Sequence, residues 1–197
     1  MLPLGHVAYT WSVLSLLQTH DYASQADYRG MVFAALLPDM IDKPLSLTVM
    51  SDSGTSQGLS HTLLAHAVVT LATACFRPHW LPYALAFNGH LIADQMWKYT
   101  DTLLFPFSGR LDSWQYMGSP GAMLSAYAEI ATRPGILAVE AVGLALMSWF
   151  VKKHKLNRRR PMVRLMLTGQ VDHESADAAH PRLVTPDAGH SYSCGHG

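Results

Sequence analysis

The chain has few charged residues and few cysteines, and both shortages restrict what it can be. Only 14% of its 197 residues are charged, against about 25% in a typical soluble domain, which favours a membrane protein. Two cysteines give no disulfide framework, and we expect Cys75 to be a buried thiol and Cys194 an exposed one. The N-terminus lacks the basic segment and cleavage site of a secretory signal. No segment shows the alternation of a β-strand, so an all-α protein is expected.

Apolar segments of helical length make up most of residues 1–134, which we assign to one helical domain. Helices are predicted at Leu4–Leu17, Gly30–Leu37, Leu59–Phe76 and Tyr83–Tyr99. A new helix or tight turn is expected to begin at Pro38 and to end at Pro44, because proline disrupts a helix interior. Residues 51–58 are polar and rich in Ser and Gly, which predicts a flexible loop.

Residues 135–151 are the best candidate for a transmembrane helix near the C-terminus. They would reach about 25 Å as a helix, slightly less than the hydrocarbon core of a bilayer. A basic segment, 152–167, follows directly and carries seven of the 14 Lys and Arg residues between Lys152 and Arg164. Positive charge beside a transmembrane helix predicts the cytoplasmic side of the inner membrane. Glu140 supports the alternative of a buried core helix. Residues 168–197 have no periodicity and are predicted to be a disordered, His-containing tail.

His90 and Asp94, in the sequence NGHLIAD, are the strongest indication of chemistry. Residues four apart on a helix face the same side, so the imidazole and the carboxylate can bind one cation. A carboxylate among Leu, Ile and Ala also needs a compensating charge if it is buried. His6, Asp39 and His61 lie in similarly apolar segments. Since imidazole and carboxylate groups suit zinc and related ions, the set predicts a metal site.

Each candidate ligand also has an ordinary explanation when it is taken alone. His6 is near the N-terminus, Asp39 could cap a turn, and His61 could begin a helix. The conjunction of all the candidates is what favours a metal site. His66 is five residues after His61, about 140° away around a helix, so we assign it to helix packing.

Five short blocks occur in an informative order along residues 1–110. They are GH at 5–6, LPDMID at 37–42, SHT at 60–62, GHLIAD at 89–94 and LFPF at 104–107. This order resembles a bacterial family of LexA-binding, inner-membrane-associated metal-dependent hydrolases. That family normally has Asp-His at the end of the second block, where this chain has Asp42-Lys43. The difference leaves three roles for Asp42: a metal ligand, an acceptor for a ligating His, or the partner of Lys43.

A more distant resemblance is to the zinc-dependent phospholipase C and single-strand nuclease fold, which is all-helical and binds clustered zinc ions. It implies a helical bundle that holds one or two divalent ions, with zinc as the expected metal and manganese as the alternative. One ion would be bound by Asp39, His61, His90 and Asp94. His6 would bind a second ion together with Asp94, whose two oxygens would bridge the pair.

The expected activity is hydrolysis of a phosphoester, such as a phospholipid, by metal-activated water. A metal lowers the pKa of bound water toward about 7; in the expected mechanism Asp42 orients that water and Asp94 holds the metal. Two other functions fit the same residues: a non-catalytic membrane protein with a structural metal, and a haem protein with axial ligands among His61, His66 and His90. Buried carboxylates argue against haem. The basic segment lacks interleaved aromatic residues, so we expect membrane lipids rather than nucleic acid as its partner.

Overall fold

A computed structural model of the chain describes residues 1–20, 22–48, 55–108, 110–111 and 119–171. Within these ranges the protein is all-α, as the sequence predicts, and contains no strand. Its helices are α1 (Pro3–Thr19), α2 (Tyr28–Leu47), α3 (Leu63–Phe76), α4 (Leu81–Ala93), α5 (Thr100–Leu103), α6 (Pro120–Ala131), α7 (Pro134–Lys153) and α8 (Arg159–Thr168). Short 3-10 turns occupy Leu59–His61, Pro78–Trp80 and Met96–Lys98. Cys194 and most of the predicted tail lie outside the described residues.

Helix α2 runs through both prolines, so the predicted break at Pro38 and end at Pro44 are wrong. A proline in a helix interior has no N–H to donate and costs about 3 kcal/mol. Side chains from elsewhere in the chain contact the backbone of α2 close to Pro38. Ser60 Oγ donates to the Pro38 carbonyl at 2.8 Å, and the Ala35 carbonyl lies 2.7 Å from His90 Nδ1.

Two helices differ from their predicted bounds: α3 begins later than its apolar pattern suggests, and α4 ends earlier. The segment from Leu59 onward is interrupted at Thr62, whose side chain caps α3 by accepting from the Ala65 N–H at 3.1 Å. Helix α4 ends at Ala93, with Asp94 as its C-cap. Both interruptions place a candidate ligand, His61 or Asp94, at a helix end, where its side chain can turn toward other helices.

The core forms where α1, α2, α4 and α7 pack together. Its largest fully buried apolar side chains include Leu14, Tyr28, Phe150 and Leu165. The last of these belongs to α8, so the basic segment is partly anchored in the core. Residues at the predicted start of the tail are also packed: Val171 is buried, and the Tyr28 N–H donates to the Gly169 carbonyl at 2.8 Å.

Helix α7 coincides with the predicted transmembrane helix, although α8 follows it. Among the described residues it is the one helix long and apolar enough to cross a membrane, and only 11% of its 18-residue apolar window is buried. Glu140 Oε1 accepts a hydrogen bond from the Leu2 N–H at 2.8 Å. The single acidic side chain of this helix therefore faces α1.

Helix α3 carries an exposed apolar surface, and His66 is its one buried residue. Leu71 is 64% exposed and Phe76 is 80% exposed. Cys75 is also exposed, so the prediction of a buried thiol is wrong. An apolar helix with so little of its surface covered by the protein needs an apolar environment outside it.

Candidate metal centre

Four of the predicted ligands converge from three separate segments. Asp39 comes from the middle of α2, His61 from the turn before α3, and His90 and Asp94 from the last turn and the C-cap of α4. One nitrogen or oxygen atom from each residue lies within 4.8 Å of all the others. All four side chains are largely or fully buried. The structure thus contains a compact group of the donors that divalent ions use.

The distances within this four-residue group fit a single ion. The Nε2 atoms of His61 and His90 are 3.1 Å apart. Asp39 Oδ1 lies 3.7 and 3.8 Å from these two nitrogens, and Asp94 Oδ2 lies 3.7 and 3.4 Å from them. Ligand atoms about 2.0–2.2 Å from a tetrahedral ion are roughly 3.3–3.6 Å apart. Small movements of these side chains would place all four around one zinc-sized ion.

The orientation of the two imidazoles also favours a bound cation. His61 Nδ1 lies 2.7 Å from Asp42 Oδ2, and His90 Nδ1 lies 2.7 Å from the Ala35 carbonyl oxygen. A carboxylate and a carbonyl can only accept, so each Nδ1 carries hydrogen. With both rings neutral, the two Nε2 atoms then direct their lone pairs at each other and toward two carboxylates. A cation among these four acceptors would relieve their mutual repulsion.

The electrostatics of the centre favour a positive charge at this position. Burial alone would lower the pKa of His61, but hydrogen bonds with Asp42 and Asp94 and attraction to Asp42 and Asp39 raise that pKa to about 9. Burial would raise the pKa of Asp94, yet hydrogen bonds with three histidines hold it well below its usual range. The Asp94 carboxylate is therefore ionised at neutral pH. Either a proton on His61 or a metal ion can supply the compensating charge.

Asp42 lies behind His61 and outside the four-residue group. Its Oδ2 atom accepts from the Gly58 N–H at 2.8 Å, and the Ser60 N–H is 3.1 Å from the same oxygen. With His61 Nδ1, these donors occupy a carboxylate that is only 1% exposed. The geometry therefore favours Asp42 as the group that orients His61 rather than the predicted water-orienting residue. Lys43 pairs with Asp39 instead.

His6 lies beside the four-residue group, on the other oxygen of Asp94. Its Nε2 atom is 3.1 Å from Asp94 Oδ1, and its ring stacks on His90 with centroids 4.3 Å apart. The α-amino group of Met1 is 2.7 Å from the same oxygen. Burial lowers the pKa of His6, which favours the neutral imidazole that a metal requires. Asp94 thus directs one oxygen at the group and the other at His6.

Two polar neighbours complete the surroundings of the centre. His66 contacts Asn88 Oδ1 at 2.9 Å and the Ser60 carbonyl at 3.0 Å, outside the four-residue group. Gln57 Nε2 donates to Asp94 Oδ2 at 3.1 Å. The sequence analysis missed Gln57 because it assigned 51–58 to a flexible loop, whereas residues 55–58 are buried. No local pattern could have indicated its contact with α4.

Two cavities give access to the centre from different sides. A polar cavity of about 460 Å³ is lined by Asp39 and Asp94 together with Lys43, Lys98 and Tyr127. An apolar cavity of about 760 Å³ reaches His6 and His90 from the side of α1 and α4. A bound ion would therefore be accessible to small molecules, as catalytic zinc sites require.

Comparison with known proteins identifies one family. The family model described as YdjM inner membrane protein matches residues 1–158, a range that includes the four-residue group, His6, Asp42 and α7. No curated protein and no solved structure matches the chain. The expected similarity to the zinc-dependent phospholipase C fold is therefore not confirmed.

Proposed function

Because the chain belongs to the YdjM inner membrane protein family, we propose that it is a membrane-associated, metal-dependent hydrolase that cleaves phosphoesters. One observation carries the proposal: four buried donor atoms, from Asp39, His61, His90 and Asp94, lie within 4.8 Å of one another beside an accessible cavity. A purely structural metal site would have no need of that cavity. The proposed metal is zinc, with manganese as the alternative.

The proposed mechanism assigns a separate task to each carboxylate. A zinc ion bound in the four-residue group would supply hydroxide at neutral pH from a coordinated water. Asp42 holds the His61 imidazole so that Nε2 faces the ion site. Asp94 presents Oδ2 to the ion site, while its Oδ1 faces His6. His6 and Asp94 Oδ1 are the groups that would bind a second ion.

The polar cavity supports an anionic substrate. Lys43 and Lys98 line it beside Asp39 and Asp94. The Lys43 ammonium pairs with Asp39 and lies 5.0 Å from the centroid of the Tyr127 ring. Burial would lower the pKa of Lys43, but attraction to Asp39 and a hydrogen bond with it raise that pKa. Lys43 therefore stays charged and can attract a phosphate group to the centre.

We also propose that membrane lipids are direct partners of the protein. Helix α7 would cross the inner membrane, and the exposed apolar surface of α3 would contact hydrocarbon. Three exposed basic residues lie at the end of α7 or shortly after it: Lys152, Lys153 and Arg158. By the positive-inside rule this end would lie on the cytoplasmic side, near anionic headgroups.

Elemental analysis of detergent-purified protein tests the metal proposal. We expect about one equivalent of zinc or manganese in the wild type, loss of that metal in Asp94→Asn, and retention in a chain truncated after Val171. The exposed carboxylate of Asp101 provides the matched control, Asp101→Asn, which should keep the metal. Metal that disappears with residues 172–197 would indicate adventitious binding by the tail. A Soret absorption band would indicate haem and would overturn the hydrolase proposal.

Hydrolysis of bis(p-nitrophenyl) phosphate then tests the activity. Metal-loaded wild type should release p-nitrophenol, and Asp94→Asn should not. A protein that binds metal at Asp94 but cleaves no phosphoester would support the alternative of a structural metal site in a non-catalytic membrane protein.

A further inference from the structure

The apolar cavity has the size and lining of a site for a hydrocarbon chain. Its volume, about 760 Å³, falls within the range of about 300–1,000 Å³ that small-molecule sites occupy. Val13 and Leu17 of α1 line one side, and Leu85 and Ile92 of α4 line the other. Leu85 and Ile92 are 55% and 68% exposed, so the cavity is open along its α4 edge.

The apolar cavity adjoins the polar cavity beside the candidate metal centre. Both cavities share wall residues, among them Ala93, Gln95 and Val139. His6 and His90 stand at the inner end of the apolar cavity, while Asp94 belongs to the polar one. A molecule lying across the junction would have its polar part at the centre and its apolar part between α1 and α4.

Gly89 keeps the wall of the apolar cavity open beside His90. It lines the cavity within α4, and a Cβ atom added at this position would meet no atom within 4 Å. A glycine in a helix interior lowers helix stability relative to alanine. A larger side chain at position 89 would occupy the open space beside His90, so this position can be used to test whether the cavity holds a ligand.

We propose that the substrate is an amphiphilic phosphoester whose single hydrocarbon chain lies in the apolar cavity while its phosphate lies in the polar cavity at the centre. We infer this occupant from the shared wall of the two cavities, from the lysines that line the polar cavity, and from membership of an inner membrane family. This inference rests on the proposed hydrolase function. In the reaction the water oxygen bonds to phosphorus, the ester P–O bond breaks, and the proton of the water goes to the departing alkoxide oxygen.

The test compares dodecyl p-nitrophenyl phosphate with methyl p-nitrophenyl phosphate, which differ in their apolar tails. Burial of the CH₂ groups of the dodecyl chain favours binding, so the wild type should prefer the dodecyl ester by at least about tenfold in kcat/KM. Gly89→Leu fills the cavity beside the centre and should reduce that preference about tenfold. The matched control is Gly121→Leu, because Gly121 is also a helical glycine with no atom within 4 Å of an added Cβ; it should keep the preference.

Failure of this inference is distinguishable from failure of the proposed function. Equal kcat/KM for the two esters in the wild type would overturn the hydrocarbon site and leave the hydrolase proposal standing. If neither ester is cleaved, the hydrolase proposal fails. Titration of dodecyl phosphate into zinc-loaded protein then tests the hydrocarbon site independently of activity. Binding weakened about tenfold by Gly89→Leu, but not by Gly121→Leu, supports the site; binding unaffected by Gly89→Leu overturns it. A dimer that dissociates in Gly89→Leu would assign the cavity to a second copy of the chain.

Discussion

Replacing Asp42 with asparagine should weaken metal binding although it removes none of the four proposed ligands. Asp42 Oδ2 is 2.7 Å from His61 Nδ1 and also accepts from the Gly58 N–H. The Ser60 N–H lies within 3.2 Å of both carboxylate oxygens. Asparagine keeps one accepting oxygen and places an NH₂ group at the other position. Its one oxygen can take the position of Oδ2 and face all three donors, but it carries no negative charge, so the hydrogen bond with His61 Nδ1 becomes weaker.

The expected loss of metal affinity follows from the role of Asp42 as the hydrogen-bond partner of a ligating histidine. Removal of a group that orients a ligating histidine typically lowers metal affinity about 10- to 100-fold, which corresponds to about 1.4–2.7 kcal/mol. Asp42 is almost completely buried, and its bond to His61 involves a carboxylate, so it belongs among the stronger hydrogen bonds. Because asparagine keeps this bond in a neutral, weaker form, we expect the lower half of that range for Asp42→Asn.

Competition with a chromophoric zinc chelator, on detergent-solubilised protein, measures the affinity directly. Asp101→Asn serves as the control because its carboxylate is exposed, and it should bind zinc like the wild type. Asp42 also connects α2 to the turn at 58–60, so thermal unfolding of both variants should be recorded and the titration run well below Tm. Wild-type affinity in folded Asp42→Asn would refute the assignment of Asp42 as the residue that positions His61.

Three further predictions concern stability and helix contacts. Gly169→Ala should destabilise the protein by roughly 1–3 kcal/mol, because Gly169 has a φ of 69° and its Cβ would lie 1.8 Å from Asp27 Oδ1; an unchanged Tm would contradict this. Acidification from pH 6.5 to about 4 should cost on the order of 3 kcal/mol through His66, because burial lowers its pKa to about 4 and the unfolded chain binds the proton first. This stability is present above pH 6.5, and the Tm of His66→Gln should vary less across the window. Glu140→Leu should lower the free energy of unfolding by about 1 kcal/mol, because it leaves the Leu2 N–H at the start of α1 without its acceptor. Glu140→Gln retains an accepting oxygen and should keep the wild-type Tm; equal Tm values for the two variants would contradict this.

Local patterns were sufficient where a helix depends mainly on its own apolar residues. The predicted helix at 4–17 and the predicted transmembrane helix at 135–151 agree with α1 and α7 to within a few residues. The same reasoning failed for α2, because proline propensity predicts a break, whereas α2 continues through Pro38 and its backbone there is contacted by Ser60 and His90. Those contacts come from residues far along the chain, and no local window contains them.

Part of the candidate site could likewise be predicted from local spacing, and part of it could not. The spacing of His90 and Asp94 could be interpreted from the sequence, since i and i+4 share a face of any helix. The hydrogen-bond partner of each imidazole could not be predicted from the sequence, because the residue that contacts Nδ1 depends on which helices and turns pack together. Gln57 illustrates the difference, for its contact with Asp94 joins a segment that resembles an ordinary loop to the end of α4.

The sequence by itself determined that the protein is helical and poor in charge, and that its apolar segments contain imidazoles and carboxylates which need a counter-charge once buried. These are properties of composition and spacing, and every compact fold of this chain must satisfy them. Only the tertiary structure decided that Asp42 lies behind His61, that Asp94 directs its two oxygens to different sides, and that residues of the centre line two neighbouring cavities. Such arrangements depend on contacts between distant residues, as between His6 and Asp94, which are 88 positions apart, and a spacing rule carries no information beyond the helix in which it applies.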